Sequence, residues 1–105
     1  MKFTKYQNKS KKTAVYDVGN DYIYPLLGLA GEVGEVSEVI SKIRRDNNGF
    51  LTVGDKLVLK SELGDVLWYL TQLASELGLS LEDIAITNLE KLKNRQEEGT
   101  LRTRA

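Results

Sequence analysis

Cysteine and histidine are both absent from this 105-residue chain. Without cysteine there are no disulfides, no zinc–thiolate sites and no thiol nucleophiles. Without histidine there is no imidazole base, no Ser-His triad and no Glu-x-x-His di-iron motif. No apolar stretch approaches the roughly 20 residues needed to cross a bilayer. The start, Met-Lys-Phe-Thr-Lys-Tyr-Gln, lacks the apolar core of a signal peptide. Charge of either sign is not in excess: 15 basic residues balance 15 acidic ones, which points away from a nucleic-acid polymer or an anionic membrane as partner. The expectation is a cytoplasmic protein of one domain, residues 1–105. Its chemistry must run on carboxylates, lysines, arginines, hydroxyls, amides and any bound metal.

One short pattern occurs twice. Residues 32–36 read Glu-Val-Gly-Glu-Val and residues 62–66 read Glu-Leu-Gly-Asp-Val. Residues three apart share a helix face, so each copy sets two carboxylates side by side, where like charges repel. A single such pair is commonly solvated surface. Two pairs on helices able to pack together suggest a four-carboxylate cluster of Glu32, Glu35, Glu62 and Asp65. A hard divalent cation is its natural occupant, Mg²⁺ first and Mn²⁺ as a substitute.

The periodicity predicts four helices and no strand. The first covers residues 3–14, with Phe3, Tyr6, Ser10 and Thr13 on a weakly apolar side and five lysines around it. The second covers 22–45, with Pro25 in its first turn and a stripe of Leu26, Leu29, Ala30, Val33, Val36, Ile40 and Ile43. Gly28, Gly31 and Gly34 interrupt it, each unfavourable by roughly 1 kcal/mol relative to alanine, and would admit another backbone or a ligand. Glu38 falls nearly opposite the stripe, to face water or pair with Lys42.

The third helix covers 56–78, capped by Asp55 and ended by Gly78. Its stripe is Leu59, Leu63, Val66, Leu67, Leu70, Leu73, Ala74 and Leu77, with Trp68 and Tyr69 on the less buried side, for an oligomer interface or contact with a base. Glu62 and Asp65 stand in the same phase to this stripe as Glu32 and Glu35 do to theirs. Antiparallel packing of the two stripes would bring both acidic pairs to one groove. The fourth helix covers 81–97 behind a Ser80…Asp83 capping pattern, with Asn88 in the middle of its stripe and therefore in need of a hydrogen-bond partner. Residues 98–105 read as a mobile polar tail holding Arg102 and Arg104. The expected architecture is all-α, a four-helix bundle completed by homo-oligomerisation.

Four stretches resemble a known family. They are Gly28-Leu-Ala-Gly-Glu-Val-Gly-Glu-Val36, Glu62-Leu-Gly-Asp-Val-Leu-Trp-Tyr-Leu70, Leu79-Ser-Leu-Glu-Asp-Ile84 and Asn88-Leu-Glu-Lys-Leu-Lys-Asn-Arg95. Together they look like the MazG-type nucleotide pyrophosphohydrolases, whose pattern is Glu-x-x-Glu, a spacer, then Glu-x-x-Asp. Here 26 residues separate Glu35 from Glu62. The resemblance implies an all-α dimer or dimer of dimers that binds Mg²⁺ through Glu32, Glu35, Glu62 and Asp65. It implies hydrolysis of nucleoside triphosphates between the α- and β-phosphates, to a monophosphate and pyrophosphate. Asn88, Lys91 and Arg95 then fall near the triphosphate, with Lys91 offsetting charge on the leaving pyrophosphate. With no histidine the base must be a carboxylate, and Glu35, further from the stripe than Glu32, is the first choice. The alternative is a helical module that binds nucleotide or metal without turnover, as a sensor or partner-binding protein.

Overall fold

The computed structural model describes residues 1–99. The expected tail beyond Gly99, with Arg102 and Arg104, lies outside the described residues. Four α-helices are present among them: α1 (Phe3–Ser10), α2 (Ile23–Asn47), α3 (Val53–Glu76) and α4 (Leu81–Glu98). The expected last turn of α1 is instead a 3-10 turn over Lys11–Thr13. The described residues contain no strand and no helix long and apolar enough to cross a membrane.

Helix ends follow local chemistry. Asp21 sits just ahead of α2, and its Oδ1 accepts from the backbone N–H groups of Ile23 and Tyr24, two of the orphan donors of the first turn. Asn48 (φ 53°) and Gly49 (φ 83°) end α2 in the left-handed region. Thr52, not Asp55, caps α3. Thr52 Oγ1 accepts from Asp55 N–H while the Asp55 carboxylate accepts from Thr52 N–H, a reciprocal capping box. The helix therefore starts three residues earlier than the sequence suggests. Ser80 Oγ accepts from Asp83 N–H at the start of α4.

Helices α2 and α3 make the most extensive contact in the protomer and run antiparallel across the short connection 48–52. They do not meet along the centres of their apolar stripes, as the sequence reading expected. On α2, Pro25 and Ile43 are buried and Leu29, Glu32, Val36 and Val39 half-buried. Leu26, Val33 and Ile40 stay exposed. On α3, Leu63, Leu70 and Leu77 likewise remain open, with Leu63 55% exposed. Both helices are rolled so that the edge of the stripe faces the neighbour. That roll carries Glu32 and Glu62 into the contact and leaves a seven-residue repeat of aliphatic side chains uncovered on each helix.

Helix α1 packs on α3 and α4, and α4 packs on α1 and α3. Polar pairs hold α1 rather than the expected Phe3 side, and Phe3 is exposed. The Gln7 amide donates to Ser75 Oγ and to the Leu79 carbonyl, each at 3.0 Å, and accepts from Leu81 N–H at 2.9 Å. The Gln72 amide donates to Ser10 Oγ at 2.8 Å. Among the described residues the buried apolar side chains are few: Pro25, Ile43, Ala74 and Leu81. The radius of gyration is 16.6 Å, against about 13 Å for a compact 100-residue domain.

Candidate metal centre

The roll of α2 against α3 fixes the geometry of the acidic pairs. Glu32, Glu35 and Glu62 each offer a carboxylate oxygen, and these oxygens lie within 4.8 Å of one another. Asp65 stands outside that trio, but its charge reaches both Glu32 and Glu62. The structure thus brings three of the four expected ligands together and holds the fourth close by. Glu35 is the exposed member, while Glu32 and Glu62 are half-buried.

The crowding shows in protonation. Burial, then the charges of Glu35 and Asp65, raise the Glu32 carboxyl above its ordinary value of 4.5. The Glu62 carboxyl is raised first by a hydrogen bond shared with Glu35 and then by burial. Repulsion and desolvation act in the same direction on a carboxylate. Glu32 Oε2 and Glu62 Oε2 are both buried and accept no hydrogen bond. Orphaned carboxylate oxygens in an all-oxygen cluster fit a hard cation that would satisfy them.

Aromatic side chains stand near the acidic pairs, close enough for the charges of Glu32 and Asp65 to act on Tyr69. Here the sequence expectation for Trp68 and Tyr69 needs correcting, because both are half-buried within the protomer. The Tyr69 ring lies on α2 at Gly28: a methyl group there would stand 2.6 Å from Tyr69 Cζ, and nearer still to Cε1 and Cδ1. Tyr69 meets Trp68 edge-on at 5.1 Å and Tyr24 at 6.3 Å, and Tyr24 stacks on Tyr16 at 4.9 Å. Burial, then Tyr24, then the charges of Glu32 and Asp65 raise the Tyr69 phenol. The phenol of Tyr6, on α1, is raised by burial and by the charge of Asp65. Of the three glycines spaced along α2, only Gly28 admits a close neighbour; Gly31 and Gly34 face open space.

Two of the other expected site residues line a different groove. Asn88 and Lys91 are exposed, and both line a groove of about 560 Å³ with Gly78, Leu79, Ser80, Asp83, Ile84 and Thr87. No member of the acidic cluster lines that groove. The partner expected for a buried Asn88 is thus not required within the protomer. Arg95, also on α4, is half-buried. Glu38 does pair with Lys42, at 3.0 Å on the solvent side.

Glu76 had no part in the sequence reading. Its carboxylate accepts from Gly19 N–H at 2.6 Å, from Asp21 N–H at 2.9 Å and from the Tyr16 hydroxyl at 3.4 Å. Burial and then Glu76 push the Tyr16 phenol up to about 12. These contacts fasten the α1–α2 loop, and with it the Tyr16–Tyr24 stack, to the last turn of α3. The partners are 55 to 60 residues apart, so no local pattern announces them. Asp21 was legible, as an aspartate immediately ahead of a helical run.

The family model described as the MazG nucleotide pyrophosphohydrolase domain matches residues 24–100. The chain is also 37% identical over 102 residues to a protein named "Gene 37 protein" from Mycobacterium phage L5, a match that covers 91% of this chain and 90% of that one. No solved structure matches the chain.

Proposed function

The chain belongs to the MazG nucleotide pyrophosphohydrolase family, and from that premise we propose that it hydrolyses nucleoside triphosphates between the α- and β-phosphates, releasing a monophosphate and pyrophosphate. The observation that carries this reading is the cluster of Glu32, Glu35 and Glu62, with two buried carboxylate oxygens that have no hydrogen-bond partner. Asp65 completes the ligand set. Bound Mg²⁺, or Mn²⁺ in its place, would neutralise the cluster, orient the triphosphate and polarise the attacking water.

The chain's own residues divide the remaining work. Half-buried Glu32 and Glu62 are held by the α2–α3 contact and act as fixed ligands. Exposed Glu35 faces water while keeping a carboxylate oxygen within 4.8 Å of those of Glu32 and Glu62, which suits it to take the proton as water attacks a phosphorus of the α–β anhydride. Lys91, with Asn88 and Arg95, would bind the phosphates and offset charge on the leaving pyrophosphate. Asn88 and Lys91 line a groove that holds no member of the acidic cluster, so their role depends on the assembly.

The assembly we propose is a homodimer, or a dimer of such dimers, closed over the open seam. Leu26, Val33 and Ile40 on α2 and Leu63, Leu70 and Leu77 on α3 recur every seven residues on exposed faces, the spacing of helix-to-helix packing. The biological setting proposed is upkeep of the cytoplasmic nucleotide pool.

The test is pyrophosphate release from a panel of canonical and modified nucleoside triphosphates, with Mg²⁺ and with EDTA. The expected result is metal-dependent release of pyrophosphate and monophosphate, lost in Glu35→Gln and Asp65→Asn with the helices intact. Release of orthophosphate, or retained turnover in either variant, would refute the assignment.

A further inference from the structure

We infer that Tyr69, seated on the backbone of α2 at Gly28, is the positioning residue that sets the spacing of the carboxylate cluster and through it the preference for a small over a large divalent cation. The inference rests on reading the cluster as a divalent-cation site.

Register is the first observation. From the Gly28–Tyr69 contact, one turn along each antiparallel helix reaches Glu32 opposite Asp65. Three residues further, Glu35 stands opposite Glu62, with a carboxylate oxygen of each within 4.8 Å of the other. The glycine–tyrosine contact is thus the rung next to the cluster, about 6 Å away at 1.5 Å per residue.

The second observation is that the contact has no slack. A single Cβ at Gly28 would collide with three atoms of the ring, whereas a Cβ at Gly31, Gly34 or Gly64 would meet nothing within 4 Å. A glycine inside a helix is unfavourable, and at position 28 it is spent on letting a ring touch the backbone. The ring cannot easily retreat. Trp68 stands edge-on to it and is tied to α1 side by an indole N–H donated to Thr13 Oγ1 at 2.8 Å. Tyr24, stacked on Tyr16, flanks it on another side.

The third consideration is force. Carboxylates this close repel, and without a brace the two helices would relieve that repulsion by separating. A braced, narrow cluster suits Mg²⁺, with ligands at 2.0–2.1 Å in strict octahedral geometry. A loosened one suits Ca²⁺, which takes six to eight oxygens at 2.3–2.6 Å.

The experiment is calorimetric titration of nucleotide-free protein with Mg²⁺ and separately with Ca²⁺. It compares the wild type with Tyr69→Leu, Gly28→Ala, Tyr69→Phe and Leu81→Ala, all checked for helicity by circular dichroism. Tyr69→Leu removes the brace and Gly28→Ala wedges the helices apart, so either one tests the idea if the other fails to fold. The expected result in both is a loss of Mg²⁺ affinity of about tenfold or more, the range seen when support behind a metal ligand is removed. Ca²⁺ affinity falls less, so the ratio of the two moves toward Ca²⁺. Tyr69→Phe keeps the ring and keeps the wild-type ratio. Leu81→Ala, in the core at the start of α4, destabilises the fold and leaves the ratio alone. An unchanged ratio in folded Tyr69→Leu or Gly28→Ala would overturn the inference while leaving the metal site standing. A shifted ratio in Tyr69→Phe would overturn it by moving the role to the hydroxyl. Binding of neither ion by the wild type would overturn the metal-site reading and this inference with it.

Discussion

Replacing Gln7 with alanine removes three hydrogen bonds from a single side chain. Its amide donates to Ser75 Oγ and to the Leu79 carbonyl and accepts from Leu81 N–H. The side chain is only 9% exposed, and the Leu81 bond is buried. Neutral hydrogen bonds contribute about 1 kcal/mol each, so the three are worth roughly 3 kcal/mol. Alanine recovers up to about 1.5 kcal/mol of rotamer freedom that the glutamine loses on burial. Against that, Leu81 N–H is left without its acceptor, which adds about 1 kcal/mol or more. The net expectation is a loss of roughly 2–3 kcal/mol. Near the melting point of a domain this size, that corresponds to a fall of about 10–20 °C. The assay is urea denaturation at fixed protomer concentration, because self-association would otherwise shift the apparent stability. Hydrogen exchange adds a local readout: protection lost first in α1 and the first turn of α4 is the expected pattern. A loss below about 0.5 kcal/mol would refute the reasoning, since water would then replace the amide with no penalty and α1 would not depend on Gln7.

Two further expectations concern charge and assembly. Glu32 and Glu62 have folded-state carboxyls raised above their unfolded value, so the folded protein binds more protons in the window between the two. The stability this contributes is full below the ordinary carboxylate value and is lost as pH rises through the raised one. Metal-free Glu62→Gln should therefore match the wild type near pH 4 and melt above it near pH 7. Added Mg²⁺ should raise the melting temperature of the wild type more than that of the variant; a gap that narrows with rising pH would refute this. For the assembly, light scattering should find a dimer or larger species in the wild type and a shift toward monomer in Leu63→Glu with Leu70→Glu. A monomeric wild type at micromolar concentration would refute the seam. In a proposed composite site, mixing inactive Glu62→Gln with inactive Lys91→Ala should restore part of the activity, and no restoration would place both residues' work within one protomer.

Much of this protein is written locally. Apolar residues at three- and four-residue spacing specify helices wherever they occur, so four helices were legible, as were the Gly78 stop and the Ser80 cap. The acidic pairs were legible because two copies of one spacing, in the same phase to their stripes, point to a meeting of two helices. A stripe wider than one neighbour can cover, however, does not say which part faces inward. Tertiary packing decided that, rolling α2 and α3 so that Glu32 and Glu62 enter the contact while Leu26, Val33, Ile40, Leu63, Leu70 and Leu77 stay open. The same roll placed Tyr69 on Gly28 and left Trp68 and Tyr69 half-buried within the protomer. Gln72, polar by type, became part of the interior of the α1–α3 contact, because helix α1 docks through hydrogen bonds whose partners are more than 60 residues away. Periodicity reads what one helix would bury; which neighbour buries it, and at what angle, is settled only when all the helices compete for the same faces.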